Sequence, residues 1–427
     1  MSSVSISSGV SGESEFNPRS IRAIIAAWIG MFIGPNAMVS APMSLFIAPL
    51  THEFGLTRTA VSAILVIQPL SIAFFSPFVG RAIDRFGLRQ VLLPGVAAFA
   101  ITCMARGFVQ HPWELAVMFF LVSIGAAMNS AVGYAKLISL WFSVNRGRLI
   151  GLVVALGAGT GSTLAPQVVR VLIHDYNWRI AYIVMGAYVL LLPWPILFFL
   201  IREPAGARKQ STHEIEGALP GLTRAEALRT RSFWLLFPAI FLASMALIGT
   251  TAHAVPMLTE RGFSSLIGAT TISCFFFGGI AGQLTSGFFS DRIDSPRVAL
   301  PYFACALLGA MVVHLATNQV VLLGGAVLMG MGQGAEIAFA AYLTSRYFGL
   351  RAYGSIYSLL FAASNIGIGL GLMTMGFVHD LAGSYRPMTF VFGTALAVSF
   401  VLIALLGPYQ FASRKVLMAS APRPATS

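Results

Sequence analysis

Charge is what this chain has least of. Only 10% of its residues are Asp, Glu, Lys or Arg, against about 25% in a soluble domain, which needs them to cover its surface. With 57% of residues hydrophobic, the chain is suited to lipid rather than water. Cysteine is nearly missing as well. Cys103, Cys274 and Cys305 each fall in an apolar run, which excludes a disulfide framework and leaves them as small buried hydrophobes. There is no His/Cys metal spacing, no phosphate-binding loop ending in Lys-Ser/Thr and no nucleophile elbow. No cofactor, metal or enzymatic activity is expected. Acidic residues are fewer than basic ones, 15 against 27, for a net charge of +12. In a soluble protein that balance would suggest nucleic acid. Here it suggests loops held against an anionic membrane face, and no nucleic-acid partner is expected.

What is present is a long alternation of apolar runs and short polar joints. A membrane-spanning helix needs roughly 20 apolar residues. Twelve spans are predicted, at about 22–50, 60–80, 91–110, 113–142, 149–173, 180–201, 233–257, 266–290, 298–317, 320–345, 352–380 and 388–407. The expected fold is an all-α membrane protein of twelve transmembrane helices. Its parts are a disordered cytoplasmic N-terminus (1–20), a six-helix bundle (21–201), a central cytoplasmic loop (202–232), a second six-helix bundle (233–407) and a cytoplasmic tail (408–427). The first run is too long for a signal-peptide core and lacks a convincing cleavage site.

Orientation follows from the basic residues. With both ends cytoplasmic, twenty Lys and Arg lie inside, and only Arg58, Arg106, Arg170, Arg179, Arg261 and Arg386 lie outside or near the outer ends; Lys136 falls within a span. This positive-inside bias predicts a multi-pass protein of the plasma (inner) membrane.

The chain also repeats itself. Gly80-Arg81-Ala82-Ile83-Asp84-Arg85-Phe86-Gly87-Leu88-Arg89 joins spans two and three, and Gly287-Phe288-Phe289-Ser290-Asp291-Arg292 follows span eight, about half a chain later. Span five carries Gly157, Gly159 and Gly161, and span eleven carries Gly367, Gly369 and Gly371. Small residues four apart let helix backbones approach closely in lipid. Spans four and ten both end in an aromatic pair before a basic turn, Trp141-Phe142 before Arg146 and Tyr347-Phe348 before Arg351.

In these residues the chain resembles the major facilitator superfamily, with Gly80, Asp84, Arg85, Gly87 and Arg89 matching one motif copy and Gly287, Asp291 and Arg292 the other. Within it, the chain looks most like the monocarboxylate-porter and oxalate/formate-antiporter branch. The cues are Trp141-Phe142 with Asn145-Arg146-Gly147-Arg148 and Gly151, the glycine-rich span five ending at Pro166, His253-Ala254-Val255-Pro256-Met257-Leu258 with Gly262-Phe263-Ser264, and Arg346-Tyr347-Phe348-Gly349. The resemblance implies two bundles related by a pseudo-two-fold axis along the membrane normal, with substrate between them near mid-membrane. It also implies a conformational gate formed by Gly80, Asp84, Arg85, Arg89, Gly287, Asp291 and Arg292. In that gate Asp84 would bind near the start of span eleven, where the helix dipole favours an anion. The chain departs from its relatives at two carboxylate anchors. An arginine of span eight is replaced by Gln283, and a lysine of span eleven by Ser364 and Asn365.

Ionisable groups inside spans are costly and mark functional sites. Glu336 in span ten, with Gln333 one turn away, is the expected proton-coupling carboxyl. Lys136 shares a helical face with Asn129 and Gly133, and is expected either to anchor an anion or to snorkel to water. His253 is a candidate for substrate or proton binding, His314 is expected to be structural, and Arg170 to line a rim or pair with Asp175. Asn36 follows Gly34-Pro35, a pair expected to bend span one and free backbone groups. In this fold spans one, four, seven and ten usually line the cavity. The expected substrate-binding set is therefore Asn36, Asn129, Tyr134, Lys136, His253, Gln283, Gln333 and Asn365. The expected function is secondary active transport of a small organic anion, coupled to protons and working as a monomer. The alternatives are efflux or exchange of an amphipathic molecule, and a transporter-like sensor that binds without turnover.

Overall fold

The computed structural model describes residues 16–142, 145–202 and 220–411. Expectations for the N-terminal segment up to residue 15, the central loop over 203–219 and the tail from 412 lie outside the described residues. Among the described residues, twelve helices are long and apolar enough to span a membrane. The first bundle holds spans one to six: Pro18–Phe54, Arg58–Phe86, Leu88–Phe108, Pro112–Trp141, Gly147–Asp175 and Trp178–Leu200. The second holds spans seven to twelve: Arg231–Ala252, Ser265–Ser290, Pro296–Leu315, Gln319–Phe348, Tyr353–Ala382 and Arg386–Ala404. It is a multi-pass membrane protein.

Local chemistry sets where the helices begin. Span one starts at Pro18, inside the segment expected to be disordered. Asn17 Oδ1 accepts the N–H groups of Arg19 and Ser20, Ser20 Oγ accepts the Asn17 N–H, and Pro18 occupies the first helical position, so the orphan donors of the first turn are satisfied. Three of the four helices that the resemblance places around the cavity are broken. Span one stops at Phe32 and resumes through a π-helical turn, Asn36–Ser40, after Gly34-Pro35, which is the expected bend. Span four breaks between Met128 and Ala131, and span seven ends at Ala252 before a short helix, Ala254–Glu260. Neither of those breaks follows a proline. Each frees backbone groups that an intact helix would consume.

The glycine triplets do the same work in both halves. A Cβ at Gly161 would overlap the Phe32 carbonyl oxygen of span one, and one at Gly371 would overlap the Met245 oxygen of span seven. Span five thus beds against span one, and span eleven against span seven. The middle glycines look the other way: Gly159 faces Ile280 of span eight, and Gly369 faces Val66 of span two. The bundles meet along those two seams, span five on span eight and span two on span eleven.

The aromatic pairs fasten each bundle's exit. Trp141 Nε1 donates to the carbonyl of Arg202, just past span six, at 3.1 Å. Tyr347 donates its hydroxyl to the carbonyl of Gly407, just past span twelve. The end of the central loop docks on the second bundle, where Leu222 N–H donates to Phe348 O and Leu350 N–H to Pro220 O.

Candidate functional site

Two polar assemblies stand out, one inside the second bundle and one between the bundles. The first is centred on Glu336. Its carboxyl is buried where spans seven, ten and eleven meet. Ser244 Oγ donates to Oε1 at 2.6 Å and Gln333 Nε2 to Oε2 at 3.1 Å. Ser244 Oγ also lies 2.7 Å from Ser364 Oγ. Gln333 Oε1 is buried without a partner among the described residues. The partners of Glu336 are thus neutral hydroxyl and amide groups. Next to Ser364 in span eleven, Asn365 is buried, with its Nδ2 donating to the Phe361 carbonyl.

The first bundle presents a matching polar point at the break in span four. Tyr134 donates its hydroxyl to Asn129 Oδ1 at 2.7 Å, both residues are buried, and Tyr134 lies against Gly30 of span one. Asn129 Nδ2 has no partner among the described residues, and neither does Gln68 Nε2 of span two. A buried orphan amide donor is costly unless something occupies it. Asn36 lies exposed at the bend of span one. Gln283 is half-buried in span eight, its carbonyl accepting from Ser286 Oγ. Arg170 keeps a buried, unpartnered Nε, while Asp175 pairs with His174 at 2.8 Å. His314 is packed away, its ring nitrogens at 3.1 and 3.3 Å from Thr250 and Thr389 hydroxyls.

The second assembly seals the bundles together at the end opposite Asp84. Arg58, at the start of span two, lies 2.7 Å from Glu260 Oε1 and 2.6 Å from the Tyr385 hydroxyl. Asp380, from the end of span eleven, accepts the N–H groups of Arg58 (3.2 Å) and Thr59 (2.8 Å) and the Thr59 hydroxyl (2.6 Å). A carboxylate of one bundle therefore caps the first turn of a helix in the other, where unpaired N–H groups and the dipole favour it. His379 Nε2 lies 2.8 Å from Glu260. Ser44 of span one accepts the Val255 N–H at 2.8 Å. His253 belongs to this seal: it is fully buried, with Nε2 3.1 Å from Ser62 Oγ and Nδ1 3.0 Å from the Tyr385 hydroxyl.

The repeated motifs lie at the other end, where residues 80–86 form the last turns of span two rather than the expected joint, and residues 287–290 form the last turn of span eight. Lys136 Nζ is 2.5 Å from Asp84 Oδ1, with side chains 36% and 66% exposed, so the lysine reaches out of its span to a carboxylate of its own bundle. Gly80 and Gly287 have open space where a Cβ would stand. Arg89 donates to the Phe198 carbonyl at 3.0 Å. Arg85 and Arg292 lie over Phe86 and Phe288, and Asp291 closes the last turn of span eight with its N–H on Gly287 O. Sequence reasoning missed Gln68, Ser244 and the whole seal except His253.

Two six-helix bundles, broken helices at the centre and a polar seam between the halves define a membrane transporter. The Major Facilitator Superfamily family model matches residues 27–372 and 254–427; the chain belongs to that family. It is similar to the gallate transporter of Pseudomonas putida, at 26% identity over 77% of this chain and 82% of that one. It is similar to the 4-hydroxybenzoate transporter of Pseudomonas aeruginosa at 23%, over 91% and 93%, and to the oxalate:formate antiporter of Oxalobacter formigenes at 26%, over 84% and 80%. Among solved structures it shares its fold with an inward-facing, unoccupied bacterial homolog of the human lysosomal transporter Spinster. That match has a TM-score of 0.63 and 17% identity, covering 91% of this chain and 95% of that one.

Proposed function

We propose that the chain carries a small organic anion of the carboxylate class across the membrane, coupled to protons, by rocking its two bundles around a central site. The observation that carries this reading is Glu336, a carboxyl buried among neutral partners at the junction of three helices. Such a group can change its protonation without breaking an ion pair. Ser244 and Gln333 donate to it when it is ionised. When it is protonated, a turn of the Gln333 amide offers Oε1 as the acceptor. The similarity to carriers named for gallate, 4-hydroxybenzoate, oxalate and formate supports an organic acid as cargo.

On this reading Asn129 Nδ2, aimed by Tyr134, is a donor to the cargo. The chain ends are cytoplasmic, as the basic residues favour, and the Arg58–Asp380–Tyr385 seal closes the outer side. When the seal opens, Asp84 leaves Lys136 for the start of span eleven. The test is uptake by purified protein in liposomes, across a panel of simple and aromatic carboxylates, with and without an imposed pH gradient. Accumulation that follows the gradient supports the reading. Uptake indifferent to it removes the coupling, and a lack of counterflow with every acid removes transport itself.

A further inference from the structure

A groove lies on the flank of the first bundle, away from the bundle seam. It encloses about 460 Å³ and is lined by Phe75, Phe78, Val79, Ala82 and Phe86 of span two, Gln90 and Val91 of span three, and Ile124 and Met128 of span four. Val66 of span two meets Gly369 of span eleven. By helical spacing, the groove-lining residues of span two fall on the opposite side of the helix from that contact. Phe74, Phe78 and Phe120 lie exposed beside the groove, so its mouth opens on the surface that faces hydrocarbon. The loop end is cationic. The Arg81 guanidinium sits 4.8 Å over the Phe78 ring and the Arg85 guanidinium 5.2 Å over the Phe86 ring. Both rings line the groove, and neither arginine is paired with a carboxylate among the described residues; the nearby Asp84 is taken by Lys136.

We infer that this groove is a binding site for an anionic phospholipid. One acyl chain lies among the span-two phenylalanines, and the phosphate is held by Arg81 and Arg85. The apolar lining suits a chain, because an open slot against hydrocarbon is filled by lipid rather than water. The two stacked guanidinium groups suit a phosphate at headgroup depth, since arginine presents planar forked donors and basic clusters at the membrane face attract anionic lipids. The last turns of span two that hold the lipid also hold Asp84, so the occupant is positioned to restrain that helix end.

The experiment is native mass spectrometry of the detergent-purified protein incubated with equal phosphatidylglycerol and phosphatidylcholine. Wild type is expected to retain phosphatidylglycerol preferentially. The double variant R81Q/R85Q is expected to lower that preference roughly 30-fold, the factor for two cations beside an anionic headgroup. Ala82→Phe fills the groove and leaves both cations, and is expected to lose retention as well. Both variants are first checked for an unchanged thermal unfolding midpoint. R81Q/R85Q retaining phosphatidylglycerol like wild type would overturn the site. So would retention undiminished in Ala82→Phe, or displacement of the lipid by equal soluble glycerol phosphate, because either outcome removes the acyl chain from the argument.

Discussion

Lys136 Nζ lies 2.5 Å from Asp84 Oδ1, joining the fourth span to the last turn of the second. The lysine that the sequence offers as an anion anchor is engaged at the rim instead of the centre. Both side chains are substantially exposed, and a pair in that setting contributes at most about 1 kcal/mol. Lys136→Gln should therefore leave the cargo concentration for half-maximal uptake within roughly twofold of wild type. A much weaker affinity, measured in liposomes, would put Lys136 back among the binding groups.

Asp84→Asn is expected to slow transport without loss of expression, because the variant loses the charge that alternates between Lys136 and the far bundle. Initial uptake rates, normalised to protein in the membrane, decide this. Normal rates would leave this end of span two as a plain polar helix terminus.

Glu336→Gln keeps the size of the side chain and, with the Gln333 amide turned to present Oε1, a hydrogen bond to each of Ser244 and Gln333, and it removes the exchangeable proton. Proton-driven accumulation should fall to the level seen without a gradient, while exchange of labelled for unlabelled cargo persists in part. Unchanged pH-driven uptake would exclude Glu336 as the coupling group.

The seal has its own signature. Tyr385→Phe deletes one hydroxyl that bridges Arg58 and His253. Loss of those bonds costs about 1–3 kcal/mol, so the balance of conformations should shift roughly fivefold or more toward opening at that end. Spin labels at Val171 and Leu266, exposed residues of spans five and eight, should report a longer distance between the bundles. A distance distribution identical to wild type would separate the seal from the conformational equilibrium.

Packing within the second bundle is equally specific. A Cβ at Gly330 would overlap the Phe275 carbonyl oxygen of span eight, whereas Gly287 has nothing within 4 Å. Gly330→Ala should destabilise by about 1–3 kcal/mol through overpacking, and Gly287→Ala by less than about 0.5 kcal/mol. Thermal unfolding midpoints in detergent compare the two directly.

The spans, the bend at Gly34-Pro35 and the glycine seams of spans five and eleven were legible because each is written in consecutive residues or at helical spacing. The break at Asn129 was not, because no proline or glycine marks it and Ser130 simply adopts an extended backbone. The seal was hidden for a different reason. Arg58, Glu260 and Asp380 are ordinary polar residues near span ends, and only folding brings positions about 200 and 320 residues apart within 3.2 Å. The resemblance implies a carboxylate on a helix start across the bundles for Asp84 and span eleven; in this conformation Asp380 makes a contact of that kind with span two, at the opposite end.

The clasps at Trp141 and Tyr347 bear on how the molecule is put together. Each half is laced shut by its own thread, the fourth helix to the strand of chain leaving the sixth, and Pro220 through Leu222 already belong to the later half. Severing the backbone between Arg202 and Pro220 should therefore cost neither piece its knot. Two fragments made in one cell would be expected to find each other and reassemble, as two closed hands can still meet without a shared sleeve.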